Sequence, residues 1–461
     1  MGRVLAVLVL ALVLPPAAHA FTKQDLRLRM SDGVELGATF YIPDGLRPGA
    51  GWPAVMAFRQ TRASLNAAAE AYFVPRGYAV LTVDARGHGE SGGLNALDGP
   101  REVQDVRELF DWLGARGDID TRHIGALGVS LGGGLVWRAA ASGVPFAAIA
   151  PITTWTDLYG ALFPGGLAKS GAIFGFLSEI PADRFSPEVT SLQNDLLHST
   201  NLGAVKALAA ERSVGPVLGQ IRAPALIIQG RRDFEFDLGQ AEAALRRLHG
   251  PVRMYLGDLG HPPAANPPAE LPHVYDLARR WFDRWLRGVK NGVDRGPRVE
   301  LAPDPWTGRT YRYSSLPPTT RLRLAFPGRR TIGADGEVVR TLRLPARPLE
   351  TFGAPVVRVT ASSPTGWPRL VAQLTALTPR GKVVVADGGA ATPAIGRRPR
   401  QVTLRLTNQS TLIRRGSRLR LTLATSSADL LYLNFPLSQG VKVTFRAARL
   451  TLPVLRRPVS R

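Results

Sequence analysis

The fold of this 461-residue chain is decided by the stretch HIGALGVSLGGG at residues 123–134. The apolar run 123–129 predicts a buried strand, and the pentapeptide GVSLG at 128–132 follows it directly, ahead of an apolar helical pattern. Between a strand and a helix, a G-x-S-x-G turn is typical of a nucleophile elbow, here centred on Ser130. The same interpretation explains Gly128 and Gly132, because the serine backbone is strained and the neighbouring chain passes too close for side chains.

Short apolar runs alternate with helical patterns around this stretch, as in a mostly parallel sheet that helices cover on both faces. Apolar residues at helical spacing predict helices at 65–74 and 101–113. Eight strands are predicted, at 25–29, 34–42, 53–58, 78–84, 123–129, 146–152, 225–229 and 253–256. The sequence therefore predicts an α/β domain over residues 21–290, with Ser130 following its fifth strand.

Two further segments depart from this alternation. Residues 154–219 contain apolar helical pieces with Gly-Pro breaks, which favour a helical cap inserted above the strand ends or, equally, ordinary packing helices. Beyond residue 287, short alternating segments such as 322–326, 356–360 and 402–406 are separated by frequent turn residues. This pattern predicts a β-sandwich over 306–461, with the boundary in the Gly- and Pro-rich stretch 288–305.

The net charge of +22 is unevenly distributed along the chain. Residues 301–461 carry 27 Lys and Arg against 6 Asp and Glu, whereas residues 1–300 carry 31 against 30. A basic surface raises affinity for anionic polymers without specifying a chemistry. Since the arginines show no single parity along alternating strands, we expect them to be scattered, giving a weak contact with an anionic surface and no nucleic-acid partner.

The chain has no cysteine, which excludes thiol nucleophiles, disulfides, zinc ribbons and iron–sulfur clusters. There is no H-E-x-x-H motif and the seven histidines are scattered, so we expect neither a metal ion nor a cofactor.

The N-terminus predicts export. Arg3, the apolar run 4–14 and the small-residue triplet Ala18-His19-Ala20 are typical of a secretory signal peptide over 1–20, cleaved after Ala20. The run is shorter than the about 20 residues that a membrane-spanning helix needs. We therefore expect a secreted, periplasmic or extracellular protein without a membrane span.

A serine nucleophile needs a base, and the base needs an orienting carboxylate. In this fold the acid and then the histidine follow the serine along the chain. His261 lies in the loop directly after the last predicted strand, whereas the other histidines beyond Ser130 fall in the insertion or in helical patterns. The sequence therefore predicts His261 as the base.

Asp233 is the preferred acid because it lies one loop beyond the strand at 225–229. Glu235, Asp237 and Asp258 are its rivals, and each would otherwise be a solvated loop carboxylate or a helix cap.

The oxyanion that forms during acyl transfer needs two hydrogen-bond donors. The backbone N–H of Leu131, at the start of the helix after Ser130, is the first. The second should come from Arg59-Gln60-Thr61 after the third strand, either as a backbone N–H or as the Gln60 side-chain amide. A plain surface position is the alternative for Gln60.

With these residues placed, the chain resembles the X-Pro dipeptidyl peptidase and cocaine esterase group of α/β-hydrolases over nearly its whole expected mature length. The similarity includes RGY at 76–78 before DARGHGESGG at 84–93, WLRG at 285–288 before NGV at 291–293, and residues 370–377 before TPRG at 378–381. The resemblance implies an α/β-hydrolase fold with a helical cap insertion, followed by a C-terminal all-β jelly-roll sandwich. It also implies the roles given above to Ser130, Asp233 and His261.

Two positions depart from that group. Its members commonly place a tyrosine after the third strand as an oxyanion donor, and many have a tryptophan two residues before the histidine. This chain has no tyrosine between Tyr41 and Tyr72, and it has Leu259 at the second position. The second oxyanion donor and the substrate are therefore left open.

The leading hypothesis is a secreted serine hydrolase that cleaves an ester, an amide or an X-Pro peptide bond through an acyl-enzyme. A dipeptidyl peptidase also needs a carboxylate for the free amine of its substrate. Asp157, Glu179 and Asp183 are available, although solvation is their commoner role. The alternative is a catalytically idle hydrolase-fold protein that binds an anionic surface through its basic C-terminal domain.

Overall fold

The computed structural model describes residues 21–333, 336–345, 347–366, 369–378, 381–391, 395–424 and 442–460. The expected signal peptide, 1–20, lies outside these residues, as do Pro379 and Arg380. Ten strands form one sheet in the order β1-β2-β4-β3-β5-β6-β7-β8-β9-β10. They are Phe21–Arg29, Glu35–Pro43, Trp52–Arg59, Ala79–Asp84, Ile119–Val129, Ile149–Ile152, Ala225–Gly230, Val252–Gly257, Val299–Leu301 and Tyr311–Tyr313.

The first eight strands are those that the sequence predicts, and all neighbours from β4 across to β9 are parallel. Strands β4 and β7 are buried at every residue, as expected where helices cover both faces of a sheet. Because β5, β7 and β8 run in the same direction, the loops after their carboxyl ends lie at one edge. Strands β9 and β10 carry this sheet beyond residue 290, through the predicted boundary stretch and on to Tyr313.

Helices cover the sheet on both faces. The predicted helix at 101–113 is observed, and the one at 65–74 is observed as a short α-helix that continues through a π turn and a 3-10 turn before Gly77. The α-helices are Ala63–Ala68 (α1), Pro100–Gly114 (α2), Leu131–Ala141 (α3), Leu158–Leu162 (α4), Ser170–Leu177 (α5), Pro187–His198 (α6), Leu202–Glu211 (α7), Leu238–Arg247 (α8) and Leu271–Leu286 (α9). Helices α4–α7 lie between β6 and β7 and form the predicted helical insertion. Within the described residues, no helix is both long and apolar enough to cross a membrane.

The C-terminal part is an all-β sandwich, as predicted. One sheet has the order β11-β21-β15-β18 with β12 also on β21, and the other has the order β13-β20-β16-β17, while β14 pairs with β19. Alternate residues of both main sheets, such as Leu404 and Leu421, point into one apolar core. The strands are Thr319–Phe326 (β11), Arg330–Ile332 (β12), Glu337–Arg343 (β13), Leu349–Glu350 (β14), Val356–Ser362 (β15), Arg369–Thr378 (β16), Gly381–Ala391 (β17), Arg400–Arg405 (β18), Leu412–Ile413 (β19), Arg418–Ala424 (β20) and Val443–Leu455 (β21).

A buried ion pair joins the sandwich to the α/β part. Arg231, directly after β7, pairs with Glu350 of β14, and both side chains are fully buried. A buried ion pair is tolerated only when hydrogen bonds satisfy its remaining polar atoms. Arg231 also donates to the backbone and hydroxyl oxygens of Ser410, and Glu350 accepts from the backbone N–H groups of Val459 and Ser460. This junction fixes the start of the loop that carries Asp233.

Candidate active site

Ser130 occupies the turn between β5 and α3 with a backbone φ of 55° and ψ of −117°. This is a strained conformation for a residue with a side chain. A Cβ added at Gly128 would overlap Gly132 O, and one added at Gly132 would overlap Phe58 O of β3. The two glycines therefore allow the close packing that holds Ser130 in its strained turn.

His261 follows β8 and reaches across to the serine. Its Nε2 lies 2.9 Å from Ser130 Oγ, and its Nδ1 lies 2.8 Å from Asp233 Oδ2. The ring packs edge-on against Phe236, with ring centroids 5.1 Å apart. A histidine with Nδ1–H donating to a carboxylate has its Nε2 lone pair free to accept the serine proton.

Asp233 follows β7 and is fully buried. Besides His261 Nδ1, its carboxylate accepts the backbone N–H groups of His261 at 3.1 Å, Glu235 at 3.0 Å and Phe236 at 2.9 Å. Its rival Asp237 instead caps α8 through Gly239 and accepts from Asn408. The third rival, Asp258, pairs instead with Arg232, with 3.6 Å between Asp258 Oδ1 and Arg232 Nε. The structure thus brings Asp233, and neither of these two aspartates, to the histidine.

The charges around His261 favour its protonated form. Burial lowers the pKa of His261, but the negative charges of Asp233 and Glu235, the hydrogen bond to Asp233 and the charge of Glu179 outweigh it. Together they raise the pKa to about 9. An imidazolium formed beside Ser130 is therefore stabilised in place.

The two predicted oxyanion donors have different surroundings. Leu131 is the first residue of α3, so its backbone N–H has no partner from a preceding helical turn. Gln60 lies just past β3 and lines the same pocket as Ser130, but its side-chain amide donates to Glu179 at 3.2 Å. The side chain of Gln60 is thus already engaged, which favours the backbone N–H of this loop as the second donor.

A pocket with about 570 Å³ of empty space opens at Ser130 and His261. The insertion supplies much of its apolar wall, with contributions that include Leu158, Ile173, Phe176 and Leu192. Two carboxylates face the same space: Glu179 of the insertion and Glu235 of the acid loop, the loop after β7 that carries Asp233. Burial raises the pKa of both groups.

The sequence predicts an amine-binding role for only one of these two carboxylates. Glu179 is one of the three carboxylates of the insertion that the sequence offers for the free amine of a substrate. Asp157 instead caps α4 by accepting the backbone N–H of Gly160, and neither Asp157 nor Asp183 lines the pocket. Glu235 is predicted only as a rival acid, although its D-x-E spacing from Asp233 is the signal that places it beside the histidine.

Lys169, just before α5, is a functional candidate that the sequence does not reveal. It is buried, and its ammonium donates to the carbonyl oxygens of Phe234 at 2.7 Å and Glu235 at 2.9 Å. Burial lowers the pKa of Lys169, while the charges of Asp237, Glu235 and Asp233 oppose that effect. Lys169 thus ties the insertion to the loop that carries Asp233.

Comparison with known proteins identifies relatives of this chain. The family model described as X-Pro dipeptidyl-peptidase (S15 family) matches residues 32–262, a range that contains Ser130, Asp233 and His261. A putative Xaa-Pro dipeptidyl-peptidase of Streptomyces avermitilis is 27% identical over 266 residues, which are 52% of this chain and 38% of that protein. Cocaine esterase of Rhodococcus sp. is 29% identical over 201 residues, 41% of this chain and 34% of the esterase. The chain therefore spans less than half the length of these curated relatives.

The shared fold extends through the sandwich. The crystal structure of a CocE/NonD family hydrolase from Staphylococcus aureus superposes with a TM-score of 0.72 and covers 94% of each chain at 16% sequence identity.

Proposed function

Because the chain belongs to the X-Pro dipeptidyl-peptidase (S15) family of serine-type peptidases and esterases, we propose that it hydrolyses an ester, amide or X-Pro peptide bond through an acyl-enzyme on Ser130. The observation that carries the proposal is the unbroken pair of contacts from Ser130 Oγ to His261 Nε2 and from His261 Nδ1 to Asp233. Contacts of this kind activate a serine hydroxyl when Nε2 of the histidine is unprotonated.

The proposed reaction has two halves. Ser130 Oγ attacks the substrate carbonyl carbon while its proton passes to His261 Nε2, and the Leu131 N–H faces the oxyanion. His261 then returns the proton to the leaving alcohol or amine, and the acyl group stays on Ser130. A water molecule gives a proton to His261 and attacks the acyl carbon. The ester bond to Ser130 Oγ then breaks as His261 returns that proton to Oγ, which releases the acid and restores the serine hydroxyl. Asp233 keeps its charge throughout and stabilises the transient imidazolium.

The pocket favours a substrate whose acyl portion carries a protonated amine beside an apolar side chain. Glu179 and Glu235 face the same space as the serine, and the rest of the wall is largely apolar. Burial disfavours the charged form of both carboxylates, so a bound ammonium would offset that cost. An X-Pro peptide with a free N-terminus and an α-amino ester both meet this description.

A substrate panel of matched pairs tests the proposal. Xaa-Pro p-nitroanilides and p-nitrophenyl esters of amino acids are each compared with their N-acetylated forms. We expect hydrolysis of the free-amine member of each pair to exceed that of the acetylated member by at least about tenfold in kcat/KM, the effect of about 1.4 kcal/mol. Equal rates would contradict the amine site but not the serine mechanism, whereas no hydrolysis of any member would contradict both.

We also propose that the protein is exported and cleaved after Ala20, on the basis of the apolar run 4–14 and the small residues at 18–20. N-terminal sequencing of the protein recovered outside the producing cytoplasm should begin at Phe21. Recovery of the full chain only from the cytoplasm would contradict export.

A further inference from the structure

One face of the C-terminal sandwich gathers arginines in register. In the sheet β11-β21-β15-β18, Arg323 is paired with Thr451, Thr451 with Val356, and Val356 with Arg405. These four residues form a row across the outer face, because the neighbouring strand residues Leu324, Leu450, Val357 and Leu404 pack into the core. Arg321 and Arg358 lie on the same face, two residues from the row in opposite directions along their strands.

The expected scatter of arginines is therefore absent from this face. The side chains of Arg321, Arg323, Arg358 and Arg405 are exposed and line one groove with about 1380 Å³ of empty space. Among the described residues, none of the four takes part in an ion pair or a side-chain hydrogen bond. The one carboxylate among the described residues of the groove wall, Glu242 of α8, is already paired with Arg246 at 2.7 Å. The groove thus presents four uncompensated positive charges.

The spacing of these charges selects the kind of ligand. Two residues along a strand separate Arg321 from Arg323 by about 7 Å, and three strand spacings separate Arg323 from Arg405 by about 14 Å. Such an array is too wide to converge on one phosphate or sulfate ion. It fits an extended molecule that carries several anionic groups, each of which a guanidinium can hold with two parallel hydrogen bonds.

We propose that this arginine groove, lined by Arg321, Arg323, Arg358 and Arg405, binds an acidic polysaccharide. Thr319, Thr451 and Asn408 also line the groove and supply neutral donors and acceptors for sugar hydroxyl groups. A single-stranded nucleic acid would need exposed aromatic rings for base stacking, and the only aromatic ring among the described lining residues, Phe352, is buried. A membrane surface would need exposed large apolar side chains, and none of those described lines the groove.

The test compares two variants of the full chain that lose the same net charge. The groove variant, R321Q/R323Q/R358Q/R405Q, removes the four positive charges of the groove. The control variant, R343Q/R398Q/R415Q/R418Q, removes four exposed arginines elsewhere on the sandwich. Binding of a heparin dodecasaccharide, a heparin disaccharide, a 12-nucleotide single-stranded DNA and phosphatidylglycerol vesicles is measured over a range of salt concentrations. Hydrolysis of a p-nitrophenyl ester at the wild-type rate confirms that each variant is folded.

For the dodecasaccharide at about 150 mM salt, we expect the groove variant to bind at least about tenfold more weakly and the control variant less than about threefold. The slope of log Kd against log salt should fall by about three in the groove variant alone, since each neutralised charge releases about 0.7–0.9 counterion on nucleic acids. Equal losses in both variants, equal affinity for the disaccharide, or tighter groove-dependent binding of the DNA or the vesicles would each overturn the proposal. So would the absence of dodecasaccharide binding by the wild type.

Discussion

Replacing Asp233 with asparagine changes one atom and removes one charge from the site. The carboxylate accepts two backbone N–H groups at Oδ1 and both the backbone N–H and Nδ1 of His261 at Oδ2. An asparagine has one acceptor oxygen and one NH₂ donor, so it cannot satisfy all four donors. If the oxygen stays on the loop N–H groups, the NH₂ faces His261 and favours the tautomer whose Nε2 carries the proton. That Nε2 cannot accept the proton of Ser130.

The size of the expected loss in kcat follows from the charges around the imidazole of His261. The pKa of His261 rises from 6.5 to about 9 in spite of burial, which corresponds to about 3 kcal/mol in favour of the imidazolium. Asp233 is first among the charges responsible, so its neutralisation alone should cost about two orders of magnitude in kcat. With the loss of the correct tautomer, we expect a total loss of about 10³–10⁴.

The assay is steady-state hydrolysis of a p-nitrophenyl ester by Asp233→Asn, with circular dichroism as the test of folding. Asp258→Asn is the matched control, because Asp258 lies in the same region but 3.6 Å from Arg232. We expect its kcat to stay within about threefold of the wild type, because the Asp258 carboxylate contacts Arg232 and the backbone N–H of Ala265 rather than the His261 ring. The assignment of the acid would be refuted if Asp258→Asn lost nearly all of its activity while Asp233→Asn kept a tenth of the wild-type activity.

Two other changes probe the surroundings of the site. Glu235→Gln removes a charge that raises the pKa of His261, so the acid limb of the kcat/KM profile should move to lower pH by about one unit, and an unmoved limb would contradict this electrostatic account. Lys169→Met leaves the carbonyl oxygens of Phe234 and Glu235 without their ammonium donor, so kcat should fall about tenfold with little change in KM. Lys169→Arg should recover part of that loss, and a kcat unchanged in Lys169→Met would show that the contact does not position the acid loop.

The sequence predicts the α/β part well because parallel strands covered on both faces appear as continuous apolar runs. Strands β4 and β7, buried at every residue, are the clearest cases. Strands β9 and β10 have three residues each, β9 within the Gly- and Pro-rich stretch 288–305 and β10 shortly after it, so no periodicity could distinguish them from a linker. The segment 65–74 has the spacing of one helix, but Pro75 and Gly77 tighten its end into a different kind of turn.

The candidate site is predictable where it depends on topology and hidden where it depends on side-chain direction. Ser130, Asp233 and His261 each follow a parallel strand, so chain order alone indicates that they meet. The position of Glu235 in the pocket depends on the tight turn at Asp233, and Lys169 is a single lysine without a pattern around it. The alternation of side chains along the sequence does not predict the arginine groove. Which arginines share a face depends on the register in which each strand pairs with its neighbours.

The proposed hydrolysis passes an acyl group through Ser130, and mapping a covalent adduct on this serine tests that step most directly. The protein is treated with a fluorophosphonate, and the modified peptide is sequenced by mass spectrometry alongside Ser130→Ala. We expect one adduct, on the peptide that carries Ser130, formed rapidly in the wild type, absent from Ser130→Ala and greatly slowed in Asp233→Asn. An adduct on another residue, or one that persists in Ser130→Ala, would contradict that step.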